Sequence, residues 1–399
     1  MHSPKESHAA RPWRLLPLLI AMTAIGPVTL NIVVPALPGI ITRLDTNAAA
    51  VQLTLSLFLL SLACAQLVLG PLSDRFGRRP VALAGLALAV AASLGAIAAS
   101  SIGALIAARI FQAAGASTGI VIGRAIIRDL YDRDRAAGMI GLVTTAMVIA
   151  PMVSPLIGGI LDTAFGWEAI FIFITLMCGA VLAWAALTLP ETHHTRVSSS
   201  PAALLREWRA LLVNARFHAY VLAGALGSAP FFIFIGGGPH VVITLMGRSS
   251  AEYGVWFALS SFGYMAGNFS VSRLAHRVGL DAMIMAGIAL GLAGAALMAV
   301  LFTVFPQGGP VTVFLPQFII SYGNGLLLPN AVAGAVSIRP EAAGAAAGLT
   351  GFAQMATGAA ATQTISALFA GSSGAMPMAW MMFAVLAVCA VAFRVLVRR

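Results

Sequence analysis

The chain has 399 residues, of which 60% are hydrophobic and only 9% charged, with a formal net charge of +10. No soluble domain of this length could hide so much apolar surface, and about 20 apolar residues cross a bilayer as a helix. The chain therefore reads as an all-α polytopic membrane protein, and the distribution of its positive charge argues for membrane topology rather than nucleic acid.

Twelve apolar stretches predict helices over 14–40, 50–72, 80–100, 102–127, 137–162, 168–189, 217–240, 252–275, 280–304, 311–335, 341–369 and 376–397. The run that starts at Leu15 continues to Ile40, past the length of a signal peptide, so it is expected to stay as the first helix. The longest polar break, 190–216, divides six helices from six. The expected organisation is an N-terminal bundle (1–189), a linker (190–216) and a C-terminal bundle (217–399).

The only lysine is Lys5, so no Walker A loop can form and ATP hydrolysis by that route is excluded. Cys64, Cys178 and Cys389 each sit inside an apolar stretch without metal-ligand or redox spacing. No metal, no cofactor and no enzymatic activity are expected.

Charge sets the orientation. With both termini in the cytoplasm, only Arg43 and Arg248 of the 23 Lys and Arg residues fall in outer loops. That is the positive-inside pattern, and it makes anionic lipid headgroups partners of the cytoplasmic arginines. The two halves also echo each other. Leu72-Ser-Asp-Arg-Phe-Gly77 aligns with Leu274-Ala-His-Arg-Val-Gly279, and Arg135-Ala-Ala-Gly138 with Glu341-Ala-Ala-Gly344. Two matches at nearly one offset indicate a parallel six-plus-six duplication, whose halves rock around a midplane site.

These loops carry a resemblance. Gly70-Pro-Leu-Ser-Asp-Arg-Phe-Gly-Arg-Arg79 resembles motif A of the major facilitator superfamily. Arg109-x-x-Gln112 with Gly115 resembles its motif B, and Ala150-Pro151-x-x-Ser154-Pro155-x-x-Gly158-Gly159 its motif C, the mark of proton-coupled exporters. With Pro35-Ala-Leu-Pro38, Arg124-x-x-x-Arg128-Asp129-Leu130 and Val51-Gln-Leu-Thr-Leu-Ser-Leu, the chain is similar to drug:proton antiporters of the bicyclomycin/chloramphenicol (Bcr/CflA) type. The strong matches cover residues 27–160. The resemblance implies an exporter of small amphipathic, amphenicol-like drugs, monomeric, in a bacterial inner membrane, exchanging substrate for protons by alternating access.

It also implies roles. In motif A, Gly70, Asp74, Arg75, Gly77 and Arg78 shape the turn, and Asp74 is expected to face the positive end of the eleventh helix, which starts at Pro340-Glu341. In motif C, Pro151 and Pro155 remove backbone donors and kink the fifth helix. Gly158 and Gly159 allow a close helix approach, and Gly344-x-x-x-Gly348 offers a similar small-residue face. Arg109 lies roughly 10 Å from the outer face at 1.5 Å per residue, where a charge needs a partner or water. Snorkelling to the surface is the alternative. Asn31 is placed within about a helical turn of the same depth.

Here the chain departs from the family pattern, which has an aspartate where this chain has Asn31. Every acid falls in a loop or near a helix end, so a cationic substrate is disfavoured beside Arg109. Proton coupling must then use another group, with Asp162, Glu168 and His240 as the remaining candidates, or be absent. Gln112, Phe231, Phe234, Tyr264, Tyr322, Asn324 and Gln354 complete the candidate pocket. Gly236 to Gly238 is expected to break the seventh helix near its outer end. Two other readings stay open: a transporter of small organic anions, and a membrane sensor that has lost transport.

Overall fold

In hydrocarbon a backbone N–H has no partner but its own chain, so long apolar runs fold as helices. The computed structural model of the protein describes residues 15–131, 133–192, 209–339, 342–372 and 374–398; within these, the side chains of 133–138, 140–142, 144–148, 275 and 276 are not described. The helices are α1 (Leu16–Asn31), α2 (Leu37–Arg43), α3 (Ala48–Phe76), α4 (Arg78–Ile97), α5 (Ile102–Leu130), α6 (Arg133–Phe165) and α7 (Glu168–Thr188). They continue as α8 (Ala215–Pro239), α9 (Ser250–Val278), α10 (Leu280–Val304), α11 (Val311–Ser337), α12 (Ala343–Ala370) and α13 (Met376–Val397). Polar side chains set several of the starts. Asn47, Ser101 and Asn214 accept hydrogen bonds from the backbone N–H groups of Ala50, Ala104 and Phe217, satisfying donors the helix leaves free.

Two expectations need correction. The first predicted helix is not continuous: it becomes 3-10 over Val34–Ala36 and resumes as α2. Pro35 and Pro38 cannot donate to the α-helical ladder, which accounts for the change. Conversely, Gly236–Gly238 does not break its helix. α8 runs through these glycines to Pro239 and passes into a π-helical turn at His240–Leu245. The three glycines serve close packing instead. A Cβ at Gly236 would press on the Cα of Thr362 at 3.2 Å, one at Gly237 on Phe369 at 2.9 Å, and one at Gly238 on the Tyr253 hydroxyl at 3.0 Å.

Among the described residues, nine helical segments are long and apolar enough to cross a membrane. The three other long helices, α6, α9 and α12, share a position. α6 packs on α9 and α12 packs on α3, so they meet helices of the other half of the chain. A helix that faces protein and polar cavity rather than lipid tails carries more Ser, Thr, Gln and Gly, as α9 and α12 do.

The pairing pattern repeats. α5 packs on α1, α3 and α4; α11 packs on α8, α9 and α10. The turn glycines match too: Gly77 at φ 102° and Gly279 at φ 86° both occupy backbone space that favours glycine. The same correspondence holds inside the helices. A Cβ at Gly115 would lie 2.5 Å from the carbonyl oxygen of Gly85, and one at Gly323 would lie 2.5 Å from that of Gly287. In the second sequence match, at 135–138 and 341–344, the side chains of 135–138 and the whole of Glu341 lie outside those described.

The two groups of helices meet at one end. Ser250 on α9 touches Asp162 on α6 at 2.6 Å and the Pro35 carbonyl at 3.1 Å, while Gln363 on α12 reaches Ser56 and the Ala49 carbonyl on α3, each at 3.4 Å. Toward the opposite end, among the described residues, a Cβ at Gly344 would meet only Arg128, at 3.8 Å, and one at Gly348 open space.

Adding a methyl at Gly115 or Gly323 forces two backbones apart. Gly115→Ala and Gly323→Ala should each cost about 1–3 kcal/mol by overpacking. Gly348→Ala should hold or raise stability, because alanine favours the helix and the added carbon meets nothing. Thermal unfolding of the detergent-purified protein checks both outcomes.

Candidate functional site

Arg109 projects from α5 into the space between α1 and α3 and is fully buried. It does not snorkel. Its Nη1 donates to the Thr29 carbonyl at 3.0 Å and to Gln112 Oε1 at 2.6 Å, and its Nε to the Thr54 carbonyl at 3.4 Å. Its guanidinium also lies over the Phe58 ring, 4.2 Å from the centroid, where the π face attracts a cation. Gln112 is held in turn by donating to Ser93 at 2.7 Å, and Ser93 donates to the Ala89 carbonyl. Among the described residues the charge thus rests on neutral acceptors alone, and its Nη2 has no hydrogen-bond partner.

Asn31 is buried on α1, two residues past Thr29, whose carbonyl belongs to this cage. It does not bond Arg109. Its Nδ2 donates to the Pro27 carbonyl at 2.8 Å, and its Oδ1 is left unpaired. Among the described residues the Gln52 amide nitrogen and the Thr29 hydroxyl are also buried without partners. Such atoms cost free energy unless water or a ligand meets them.

The remaining pocket candidates lie in the second half of the chain. Phe234 is buried among rings, stacked on Phe257 at 5.6 Å and edge-on to Phe314 at 5.6 Å, so it belongs to a packed aromatic cluster. Phe231 is half-buried against Phe232. The Tyr322 hydroxyl pairs with Ser270 at 2.9 Å across α11 and α9, and Asn324 is buried on α11. Tyr264 presents its backbone carbonyl to Gly325, and Gln354 lies beside Gly224. Of the whole set, only Arg109 and Gln112 are in direct hydrogen-bond contact. His240 faces Phe369, ring centroids 4.7 Å apart, on a cavity of about 450 Å³ that Gln52, Pro38 and Ser366 also line. Glu168 pairs with Arg43 at 3.8 Å.

Motif A forms a second polar cluster. Arg78 is buried at the start of α4, bonding Asp74 at 2.5 Å and Asp129 at 2.9 Å, with Ser73 at 2.6 Å. Glu191, just past α7, accepts the backbone N–H of Arg78 at 2.9 Å and of Arg79 at 3.2 Å, capping α4 from outside. Thr192 donates to Asp129 at 3.1 Å. Gly77 is needed here twice over, since a Cβ would also strike the Glu191 carboxylate. Gly70 has open space around it, and Arg75 lies over the Phe76 ring at 5.2 Å. Pro340 and Glu341, the expected partners of Asp74, lie outside the described residues. In motif C, α6 runs unbroken through Pro151 and Pro155. A Cβ at Gly158 would strike the carbonyl of Ile32, which caps the end of α1, and one at Gly159 the Ser250 carbonyl of α9.

A family model for the Major Facilitator Superfamily matches residues 19–362. The chain belongs to that superfamily. Its relatives include multidrug resistance protein D of Escherichia coli K12, 31% identical over 337 residues and 84% of each chain. Another is a chloramphenicol resistance protein of Pseudomonas aeruginosa, 30% identical over 330 residues, 82% of this chain and 75% of the relative. In fold, it superposes on a bacterial homologue of the human lysosomal transporter Spinster, in an inward-facing and unoccupied conformation, with a TM-score of 0.77 at 15% identity over 98% of both chains. The protein is thus a multi-pass membrane transporter of the drug-resistance branch of the superfamily, one whose members bind small molecules.

Within that superfamily frame, motif spacing pointed to Arg109, Gln112 and Arg78. Thr29 and Thr54 were out of reach, because they act through backbone carbonyls. Ser93, Phe58 and Glu191 come from distant segments, and only the packing joins them to the motifs.

Arg109→Lys keeps the charge but loses the guanidinium fork that three acceptors share. Hydrogen bonds to a charged group are worth about 1.5–3 kcal/mol each, so transport should fall at least tenfold. Gln112→Leu should do the same. Substrate uptake into proteoliposomes, with thermal unfolding as a control, checks both.

Proposed function

We propose that the protein is a twelve-span secondary exporter of a bacterial inner membrane, monomeric, with both termini in the cytoplasm. Two six-helix bundles, 1–189 and 217–399, rock about a shared site and are joined by the 190–216 linker. The exported compounds are small, amphipathic and neutral, of the amphenicol or bicyclomycin kind, and protons move the other way. Alternating access carries the exchange. Under this orientation the end closed by Asp162, Ser250 and Gln363 faces outward, and the pocket opens to the cytoplasm.

The observation that carries the neutral substrate is the cage of Arg109. A fixed cation held only by carbonyls, an amide and a ring repels a cationic drug, and it offers a donor to a carbonyl or hydroxyl. The unpaired Nη2 also favours a second reading, transport of a small organic anion. The names of the relatives support the drug reading over the anion.

Transport into proteoliposomes under an imposed pH gradient, with neutral, cationic and anionic compounds in parallel, tests this. Movement of neutral drugs alone is the expected result. Anion transport without neutral transport overturns it in favour of the second reading. Asn31→Asp would set a carboxylate near Arg109 and should admit cationic drugs while altering the pH profile. An unchanged profile removes Asn31 from the mechanism.

A further inference from the structure

Where α6 crosses α9, one hydroxyl serves two acceptors. Gly159 lets the start of α9 seat directly on α6, since any Cβ there would strike the Ser250 carbonyl. Gly254 does the same one turn on, 2.6 Å from the Pro155 carbonyl if it bore a Cβ. This crossing brings Ser250 to Asp162, and it also brings the Ala251 N–H to Thr163 Oγ1 at 3.2 Å. Ser250 Oγ then lies 2.6 Å from Asp162 Oδ2 and 3.1 Å from the Pro35 carbonyl.

A serine hydroxyl has a single hydrogen. With Asp162 ionised, both neighbours of Ser250 are pure acceptors, and one must go without a full hydrogen bond. With Asp162 protonated, its O–H donates to Ser250 Oγ and Ser250 donates to the Pro35 carbonyl. Every group in the chain of three is then satisfied. The chain ties α6 to α9 and to the 3-10 segment between α1 and α2.

The charges around Asp162 do not supply a cation instead. Among the described residues no Lys or Arg pairs with it. On α7, Glu168 acts on it as a like charge and is itself paired with Arg43 of α2. On α9, Glu252 faces Arg248 at 3.9 Å. The facing stretch of α2 contributes Gly39, 3.8 Å from Asp162 Oδ1 if it bore a Cβ. Helix dipoles offset each other: Asp162 sits in the last turn of α6, which disfavours an anion, and beside the first turn of α9, which favours one.

We propose that Asp162 is a proton-binding site whose occupancy locks the outer end closed, through Ser250 and the Pro35 carbonyl. The proposal rests on the exporter reading only for which end faces outward. A closed end that binds one proton more than the open end is stabilised as pH falls and released as pH rises. One proton changes the closed-to-open ratio by at most about tenfold per pH unit. In an exporter this makes external acid favour the state that loads from the cytoplasm.

The test uses the full chain in lipid nanodiscs, with Cys64→Ser removing the exposed native thiol. Spin labels go on Ser100→Cys and Gln307→Cys, exposed positions in loops away from the crossing. Pulsed electron resonance then reads the distance across this end against pH, with no substrate present. The closed population should rise as pH is lowered. Asp162→Asn, whose amide donates to Ser250 as the protonated acid would, should stay closed at every pH. Ser250→Ala should shift toward open and lose the pH response. A pH titration that persists in either variant, or that is missing from the parent, overturns the proposal. Failure of drug transport in the liposome assay overturns the exporter reading and leaves this distance measurement unaffected.

Discussion

Lipid tails are as apolar as leucine, so water does not press membrane helices together, and they hold where their backbones touch. In this chain those places are glycines: 85 with 115, 287 with 323, 158 on α1, 159 and 254 at the α6–α9 crossing. Everything else is positioned from there. α5 lies close enough to α4 for Gln112 to reach Ser93, and that bond orients the amide oxygen that holds Arg109. α9 lies close enough to α6 for a serine to reach an aspartate in the other half.

Arg109 shows what such packing permits. A buried guanidinium is expensive unless its donors are met. Here carbonyls of α1 and α3, an amide and a ring meet most of them without a counter-charge. The site keeps its positive potential as a result. Under the proposed function a carboxylate in place of Asn31 would offset that potential, and a one-atom difference in a side chain would set which charge class of ligand is tolerated.

Helix positions were legible in the sequence because apolar run length is a strong signal, and most boundaries fall within a few residues of the structure. The errors have physical causes. Pro35 and Pro38 lie inside an apolar run, so hydropathy alone hides the 3-10 turn. Gly236–Gly238 reads as a breaker by composition, yet Thr362, Phe369 and Tyr253 pack so closely that glycine is what lets the helix continue. For the site, motif spacing exposed Arg109, Gln112 and Arg78, the residues whose charge or amide acts directly. Phe58, Ser93 and Glu191 act through contacts between distant segments, and sequence spacing is blind to those.

Glu191 has a mechanical meaning. It leaves α7 and immediately grips the first two N–H groups of α4, while Thr192 grips Asp129 on α5. The polypeptide that leaves α7 is therefore stapled to the first half through Glu191 and Thr192, three and four residues past the end of the helix. A polypeptide cut beyond that staple keeps the first half's loop cluster whole, whereas a cut four residues earlier strips the cap from α4. Coexpressed fragments divided on the two sides of Pro190 to Thr192 would thus be unequal halves of one machine, although they differ by only a few residues.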